Sequence, residues 1–256
     1  MEYLQKKSYK YQEEINIAIL RQLPKNTGKK EFVLDVGSGM GALSAAIQNK
    51  GYSVWAIEIN QAAAEVAVQR ITKVINADLT DIKHIQSEIG NQKFEFLIFA
   101  DILEHLYDPL SVLKEYLKLL KDEGYLLVSL PNIVVWWNRI LFLLGRFEYT
   151  ETGIMDKGHI RFFSFKTAKK LVEEAGCCVV RTDYVPFFVR VFEPLVKKFL
   201  LKGITPESSN KRDLIDSPYY KWYIKYVYPI EYYLGFFCKP LFAFKMVLVA
   251  RKLKQT

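Results

Sequence analysis

The residues best suited to chemistry lie in a glycine-rich turn at positions 35–41. The turn has the sequence Asp35-Val36-Gly37-Ser38-Gly39-Met40-Gly41 and lies between an apolar stretch and a helix-forming one. Glycines let a backbone turn sharply and approach a ligand closely, and such turns at helix N-termini hold nucleotide-like ligands. Glu58 follows about twenty residues later, where a carboxylate can accept both hydroxyls of a ribose.

The position of Asp35 separates two kinds of adenosine-containing ligand. In a dinucleotide site the pyrophosphate lies against this turn, and a carboxylate two residues before Gly37 would repel it. S-adenosylmethionine carries an ammonium group there instead, which a carboxylate binds with charge-assisted hydrogen bonds. The Gly-x-Gly-x-Gly spacing with Asp35 therefore favours S-adenosylmethionine. A structural turn and a nicotinamide-dependent oxidoreductase are the alternatives.

Further contacts to this cofactor are expected after the third and fourth strands. An aspartate after the third strand can accept a hydrogen bond from the adenine amino group, although aspartate is also common in turns. Backbone groups after the fourth strand complete the set. The predicted cofactor-binding residues are Asp35, Gly37, Ser38, Gly39, Glu58, Ile59, Asp78, Leu79, Ala100 and Asp101.

Methyl transfer is an in-line displacement that needs a positioned acceptor and, for a hydroxyl or amine, removal of a proton. His84 is predicted to be a surface residue, which leaves His105 and His159 as candidate catalytic residues. His159 is the better candidate for a general base, with Arg161 beside it to bind an acidic group on the acceptor. The alternative is that backbone hydrogen bonds satisfy His159 while Arg161 pairs with Asp156.

Asp101, Glu104 and His105 have the spacing i, i+3, i+4. On a helix they would share one face and could hold a divalent cation that orients an acceptor through two oxygens. Alternatively, Asp101 and Glu104 form a capping box and His105 packs. We expect no metal and keep this set as the alternative.

Aromatic residues are candidates for binding the acceptor. Trp136 and Tyr149, with Arg161, are the predicted substrate-binding residues; Trp136 and Trp137 either line an apolar pocket or belong to the core. A basic, aromatic-rich segment over 187–239 is either a helical lid, a dimer surface or an interfacial membrane contact.

These residues must be positioned by alternating strands and helices, which predict βαβ units and a parallel sheet. Ligands then bind beyond the carboxyl ends of the strands. Predicted strands are 32–36, 53–59, 73–76, 94–100, 125–130, 178–184 and 242–252. Predicted helices are 1–23, 42–49, 61–70, 82–89, 109–120, 133–144 and 165–175.

Together these motifs resemble the class I S-adenosylmethionine-dependent methyltransferases, in a bacterial branch known only as a methyltransferase domain. The resemblance covers about residues 30 to 190 and the last strand. It is carried by 33–44, Glu58, Asp78, 99–106, Asp108-Pro109, 124–132, 144–150 and 156–163. Some related quinone-pathway O-methyltransferases have a similar acidic-x-x-Glu-His run associated with metal.

The resemblance implies an α/β, Rossmann-like, seven-stranded and mostly parallel sheet with helices on both faces and an antiparallel last strand. The chain is then one domain with an N-terminal helix (1–29), a core (30–186), a helical aromatic insertion or cap (187–240) and the last strand (241–256). The implied activity is methyl transfer to O or N of a small-molecule, glycan-linked or lipid-linked acceptor. A non-catalytic or membrane-docking module on the same fold is the alternative.

Composition limits the partners and the compartment. From Arg190 onward there are 13 Lys+Arg and 5 Asp+Glu, so the last quarter carries the whole surplus of +8. This favours peripheral membrane contact over nucleic acid, since no nucleic-acid-binding module is recognisable. The three cysteines lack disulfide or zinc spacing, and the polar N-terminus predicts no signal peptide. We expect a cytoplasmic protein that is a monomer or homodimer, and that is membrane-peripheral if its basic last quarter contacts lipid.

Overall fold

A computed structural model of the chain describes residues 15–186 and 222–253. The strands are β1 (Phe32–Val36), β2 (Ser53–Glu58), β3 (Lys73–Asn76), β4 (Phe94–Ala100), β5 (Leu120–Pro131), β6 (Cys177–Pro186) and β7 (Ala243–Lys252). The α-helices are α1 (Ile17–Leu20), α2 (Ala42–Gln48), α3 (Gln61–Val68), α4 (Ile82–Ile89), α5 (Pro109–Leu117), α6 (Trp136–Leu143), α7 (Phe165–Glu174), α8 (Tyr228–Phe237) and α9 (Lys239–Phe242). A 3₁₀ turn covers Leu103–His105, and a π-helical turn covers Tyr223–Val227.

The strands form one sheet in the order β3-β2-β1-β4-β5-β7-β6. β1 to β5 pair in parallel, while β7 runs antiparallel to both β5 and β6. The strand order reverses between β1 and β4, so their carboxyl ends flank the crevice where ligands of such sheets bind. The predicted fold class, including the antiparallel last strand, is confirmed.

Helices cover both faces of the sheet, because neighbouring residues of its strands point to opposite sides. Val33 and Ile98 pack on one face with Ile47 of α2. Leu34 and Leu97 pack on the other face, in the same cluster as buried residues of α4, α5 and α7. Burial on both sides explains why the strands are almost continuously apolar.

Most predicted element bounds agree with the structure to within a few residues, and the exceptions have physical causes. The helix predicted over 109–120 ends at Leu117, because Leu120 is buried and pairs with Phe94 as the start of β5. The helix predicted from 133 begins at Trp136. The preceding residues 133–135 form a turn, in which the Ile133 amide donates to the Phe163 carbonyl at 2.9 Å and the Val135 amide donates to the Asn132 carbonyl at 3.4 Å.

Two predicted segments lie partly outside the described residues. Of the leading helix predicted over 1–23, residues 1–14 lie outside, and the described remainder is helical only over Ile17–Leu20. Of the insertion predicted over 187–239, only 222 onward is described, and that part is helical. Within the described ranges, no helix is both long and apolar enough to cross a membrane.

Candidate functional site

The glycine turn joins β1 to α2 at the carboxyl edge of the sheet. All three glycines have positive φ: 79° at Gly37, 56° at Gly39 and 76° at Gly41, a conformation that residues with a Cβ rarely adopt. A Cβ on Gly37 would lie 2.8 Å from the Ile102 side chain. The turn is therefore closed on one side by the segment that follows β4.

Glu58, at the end of β2, helps to shape this turn. Its side chain is buried, and its carboxylate accepts hydrogen bonds from the Gly39 amide and the Asn60 amide, each at 2.8 Å. A carboxylate has about four acceptor sites, and these two amides occupy two of them. Ile59, the next residue, is half-buried against the core.

Asp35 is buried within β1 and has one free oxygen. Its Oδ2 accepts a hydrogen bond from Ser44 Oγ at 2.5 Å, whereas Oδ1 has no hydrogen-bond donor among the described residues. Burial raises the pKa of Asp35 to about 6; the Ser44 hydrogen bond opposes this rise and the negative charge of Glu58 adds to it. A buried carboxylate with an open acceptor is the group that an ammonium ligand would stabilise.

The other predicted cofactor-binding residues lie at the same edge. Asp78 follows β3, and its Oδ1 accepts hydrogen bonds from the amide and hydroxyl of Thr80 at 2.8 and 2.7 Å. Asp78 therefore acts as a turn residue, which is one of the two roles expected for it. This role occupies one of its two carboxylate oxygens. Leu79 beside it is buried, and Ala100 ends β4.

Asp101 has a backbone φ of 56°, which is unusual for a residue other than glycine. Its amide donates to the Ser129 carbonyl. Its side chain accepts from Ser129 Oγ at 3.0 Å and pairs with Lys245 Nζ at 2.7 Å. Ser129 Oγ also accepts from Asn16 at 2.9 Å. Asp101 is thus tied to β5, β7 and the residue before α1.

The structure contradicts the shared helix face predicted for Asp101, Glu104 and His105. The helical segment is a single 3₁₀ turn over Leu103–His105 with Ile102 at its N-cap and no side-chain cap, so the capping-box alternative is not present either. A 3₁₀ turn follows a left-handed Asp101, and the Asp101 carboxylate points to Lys245 instead.

Glu104 and His105 instead meet His159, which comes from the irregular segment after α6. The three residues are buried, and one ligand atom of each lies within 4.8 Å of the other two. The segment is held there by the amides of Ile160 and Arg161, which both donate to the Glu104 carbonyl at 3.0 Å. We call Glu104, His105 and His159 the buried polar triad.

Both rings of the buried polar triad are oriented by backbone carbonyls. His105 Nδ1 donates to the Gly158 carbonyl, and His159 Nδ1 donates to the Ile154 carbonyl, each at 2.9 Å. In the neutral form each Nε2 then carries a lone pair. His159 Nε2 lies 3.8 Å from Glu104 Oε1, and neither Glu104 oxygen has a hydrogen-bond donor among the described residues.

Burial makes the neutral form of all three groups the stable one. It raises the pKa of Glu104 well above its usual range, and the charge of Asp101 raises it further. It lowers the pKa of His105 to about 4, with His159 contributing in the same direction, and it lowers the pKa of His159. The triad therefore offers two uncharged imidazole lone pairs beside a carboxyl group that holds its proton to higher pH than an exposed glutamate does.

The predicted substrate-binding residues differ in exposure and contact different neighbours. Trp136 is half-buried at the start of α6, with its ring 5.6 Å from that of Trp137. Tyr149 is 49% exposed and contacts the rings of Phe147 and Phe162. Arg161 donates to the Tyr107 carbonyl at 2.5 Å, rather than pairing with Asp156 as the structural alternative required.

Sequence reasoning missed Lys245 and Ser129 as neighbours of the site. Lys245 lies on β7, far from Asp101 in sequence, and Ser129 lies near the end of β5. A single lysine in an apolar strand gives no local signal for such a pair. Only the β5–β7 register, which the fold supplies, brings them together.

Comparisons with known proteins agree with this geometry. A family model described as "Methyltransferase domain" matches residues 8–182. A ubiquinone biosynthesis O-methyltransferase of Haemophilus ducreyi is 34% identical over 182 residues, which cover 69% of this chain and 74% of that protein. The corresponding protein of Actinobacillus pleuropneumoniae is 29% identical and covers 69% of this chain and 75% of its own length.

Solved structures share the fold. A SAM-dependent methyltransferase from Archaeoglobus fulgidus superposes with a TM-score of 0.54 at 18% identity, covering 87% of this chain and 86% of that one. A phosphoethanolamine N-methyltransferase from Haemonchus contortus, in complex with S-adenosyl-L-methionine, has a TM-score of 0.53 at 14% identity, covering 93% of this chain and 52% of that one. The chain belongs to the methyltransferase-domain family and is an S-adenosylmethionine-dependent methyltransferase.

Proposed function

We propose that this chain transfers the methyl group of S-adenosylmethionine to a hydroxyl oxygen of a small-molecule acceptor. The observation that carries the proposal is the buried polar triad of Glu104, His105 and His159 next to the glycine turn. A hydroxyl acceptor must lose a proton as the new bond forms, and the triad offers groups that can take it. Relatives named as O-methyltransferases support oxygen as the methylated atom.

The cofactor is assigned to the carboxyl edge of β1, β2, β3 and β4. The free Oδ1 of Asp35 receives the ammonium group, Glu58 accepts the ribose hydroxyls, and Asp78 accepts the adenine amino group. Gly37, Ser38 and Gly39 allow the close approach of the ligand. Ile59, Leu79 and the backbone of Ala100 and Asp101 complete the walls.

In the transfer step, a lone pair of the acceptor oxygen attacks the methyl carbon while the carbon–sulfur bond breaks. S-adenosylhomocysteine leaves, and the hydroxyl proton passes to the protein. His159 is the assigned acceptor of this proton, with His105 as the second candidate, because Nε2 of each ring is unprotonated when Nδ1 donates to a carbonyl. Neutral rings at neutral pH suit this role.

The same triad fits a divalent cation, which is the alternative to direct proton transfer. One Glu104 oxygen and one ring nitrogen of each histidine lie within 4.8 Å of one another and form a donor set that metals such as Zn²⁺ accept. Neither Glu104 oxygen has a hydrogen-bond donor among the described residues. Glu104, His105 and His159 would hold the ion, rather than the predicted set with Asp101. A bound cation would polarise an acceptor hydroxyl and lower its pKa.

The acceptor is assigned to the space beside Trp136, Tyr149 and Arg161, where two aromatic rings and a guanidinium group suit a ring with an acidic substituent. Glycan-linked and lipid-linked acceptors fit the same assignment, and a lipid-linked one would place the protein at the membrane surface in the cytoplasm. The proposed partners do not include nucleic acid, and the proposed assembly is a monomer or homodimer.

A matched pair of small aromatic probes tests the proposal. Catechol and ortho-phenylenediamine have the same ring with two hydroxyls or two amines, so they separate oxygen from nitrogen as the methylated atom. Incubation with S-adenosylmethionine and mass spectrometry should show a methyl ether of catechol. Methylation of the diamine alone would contradict the oxygen assignment, and transfer to neither probe would contradict a simple phenol-like acceptor.

A further inference from the structure

The outward face of α8 and the turn before it is apolar although it lies on the protein surface. Ile230 is 60%, Tyr233 is 71% and Phe237 is 87% exposed, and Trp222 and Tyr226 continue the same row with more than half of their surface exposed. Steps of three or four residues place these side chains along one side of a helix. We call these five residues the outer stripe.

The inward face of α8 carries the polar groups. Glu231 is buried, and Tyr232 Oη donates to the Asp183 carboxylate at 3.0 Å. The Tyr232 ring lies flat on the Tyr184 ring, with centroids 4.9 Å apart and planes within 3°. A Cβ on Gly235 would lie 2.6 Å from the Tyr184 ring. The helix is therefore fixed to β6 in one orientation.

This arrangement reverses the usual polarity of a surface helix, which buries its apolar side. A row of five large exposed side chains forms a contiguous patch of the kind that marks an interaction site. Because the inward face is held by specific contacts, rotation about the helix axis cannot hide the outer stripe. The stripe therefore needs a partner outside the described fold.

Charge around the outer stripe indicates which partner fits. Lys225 is exposed near one end of the stripe, with its ammonium group 5.2 Å from the Tyr226 ring. Lys239, near the other end, is half-buried and donates to the Thr182 carbonyl of β6 at 3.0 Å. Glu231 is the one acid between Trp222 and Phe242, and it is buried. Since the last quarter of the chain carries the whole positive surplus, the exposed side of this helix is apolar and cationic.

We propose that the outer stripe docks on an anionic lipid bilayer, with α8 lying in the plane of the membrane surface. Trp and Tyr are the residues that favour the boundary between headgroups and acyl chains, and an exposed flanking lysine such as Lys225 pairs with acidic headgroups. A second copy of this chain is a poorer fit, because an isologous contact would bring together two surfaces from the positively charged last quarter of the chain.

Vesicle co-sedimentation of the full-length protein, without cofactor or acceptor, tests the docking separately from methyl transfer. The wild type should bind vesicles of phosphatidylcholine with about one quarter phosphatidylglycerol and bind pure phosphatidylcholine more weakly. The Tyr233→Ser, Phe237→Ser double variant should bind the anionic vesicles at least roughly tenfold more weakly. Both side chains point outward, so circular dichroism should show an unchanged fold.

Three further variants sharpen the result. Tyr107→Ser removes an 80% exposed tyrosine outside the stripe and should leave binding unchanged. Lys225→Gln should weaken binding to anionic vesicles and reduce its salt dependence. Vesicles should shift the tryptophan emission of the wild type to shorter wavelength, and Trp222→Phe should lose that shift.

The proposal is overturned if the wild type does not bind anionic vesicles, which is the result expected if another part of this chain covers the outer stripe. Equal losses for Tyr107→Ser and the double variant would also overturn it. The proposal would also be overturned if light scattering showed that the wild type is a dimer and the double variant a monomer, and neither protein bound vesicles.

Discussion

Replacing Asp35 by asparagine should stabilise the folded protein while weakening its binding of S-adenosylhomocysteine. The carboxylate is buried with one oxygen unpaired, and burial raises its pKa to about 6 from the ordinary 3.8. That difference corresponds to a cost of about 3 kcal/mol for the ionised group in the folded protein. Asparagine keeps an acceptor for Ser44 and carries no charge.

The pH dependence follows from the sign of this shift. Between the two pKa values the folded protein holds a proton that the unfolded chain has released, so the stability of the wild type falls as the pH rises through this window. The cost is complete only at about pH 7 and above, where the folded group is ionised as well. The advantage of Asp35→Asn in urea unfolding should therefore grow by about 1.4 kcal/mol between about pH 5 and about pH 8.

The affinity of Asp35→Asn for S-adenosylhomocysteine should fall, although its folding stability should rise. Loss of a charge-assisted hydrogen bond to the ligand ammonium costs about 1.5–3 kcal/mol, or roughly 10- to 150-fold in Kd. Calorimetry measures this with S-adenosylhomocysteine, which keeps the ammonium group. Asp122→Asn, at an exposed acid, is the matched control and should change neither quantity. A less stable Asp35→Asn protein with unchanged ligand affinity would refute the reasoning.

Three other changes test separate parts of the site. Gly37→Ala should lower the free energy of unfolding by more than Gly145→Ala does, because both have positive φ but only Gly37 would place a Cβ against Ile102; equal losses in urea unfolding would contradict the close packing. His159→Asn should lower kcat about 10²- to 10⁴-fold on the probe that the wild type methylates, without changing the Kd of S-adenosylhomocysteine. His84→Asn, at an exposed histidine, should change neither quantity. Full activity of His159→Asn would contradict the proposed role of His159. If the triad holds a cation, the wild type stripped of metal with EDTA should take up one Zn²⁺ per chain on reloading, as measured by mass spectrometry, and Glu104→Gln should take up none. Absence of uptake by the wild type would contradict the metal alternative and leave direct proton transfer as the only proposed route.

Local sequence signals were enough for the parallel half of the fold and for the position of the glycine turn and Glu58 at the carboxyl edge of the sheet. Strand β1 and the glycine turn could be predicted because an apolar run marks a buried strand, and Gly37, Gly39 and Gly41 after it permit a tight turn that residues with a Cβ rarely adopt. Cys177 and Cys178 alternate between buried and exposed, as expected for adjacent strand residues. The position of Glu58 at the end of β2 could be predicted because one β-α-β unit separates it from the glycine turn by about twenty residues.

The acceptor side could not be predicted to the same extent, because long-range contacts build it. Helical spacing suggested that Asp101 shares a face with Glu104 and His105, but the left-handed backbone at Asp101 and its pairing with Lys245 break that face. His159 reaches Glu104 through backbone hydrogen bonds between segments about fifty residues apart. No local pattern contains that information.

Calorimetric titration of S-adenosylhomocysteine tests the central claim, that the turn over 35–41 and Glu58 form the cofactor site. The wild type should bind one ligand per chain and should not bind NADH. Glu58→Ala should weaken binding at least about tenfold through loss of the ribose contacts, while Glu65→Ala, at an exposed acid of α3, should bind like the wild type. Absence of binding by the wild type, or unchanged affinity in Glu58→Ala, would contradict the account.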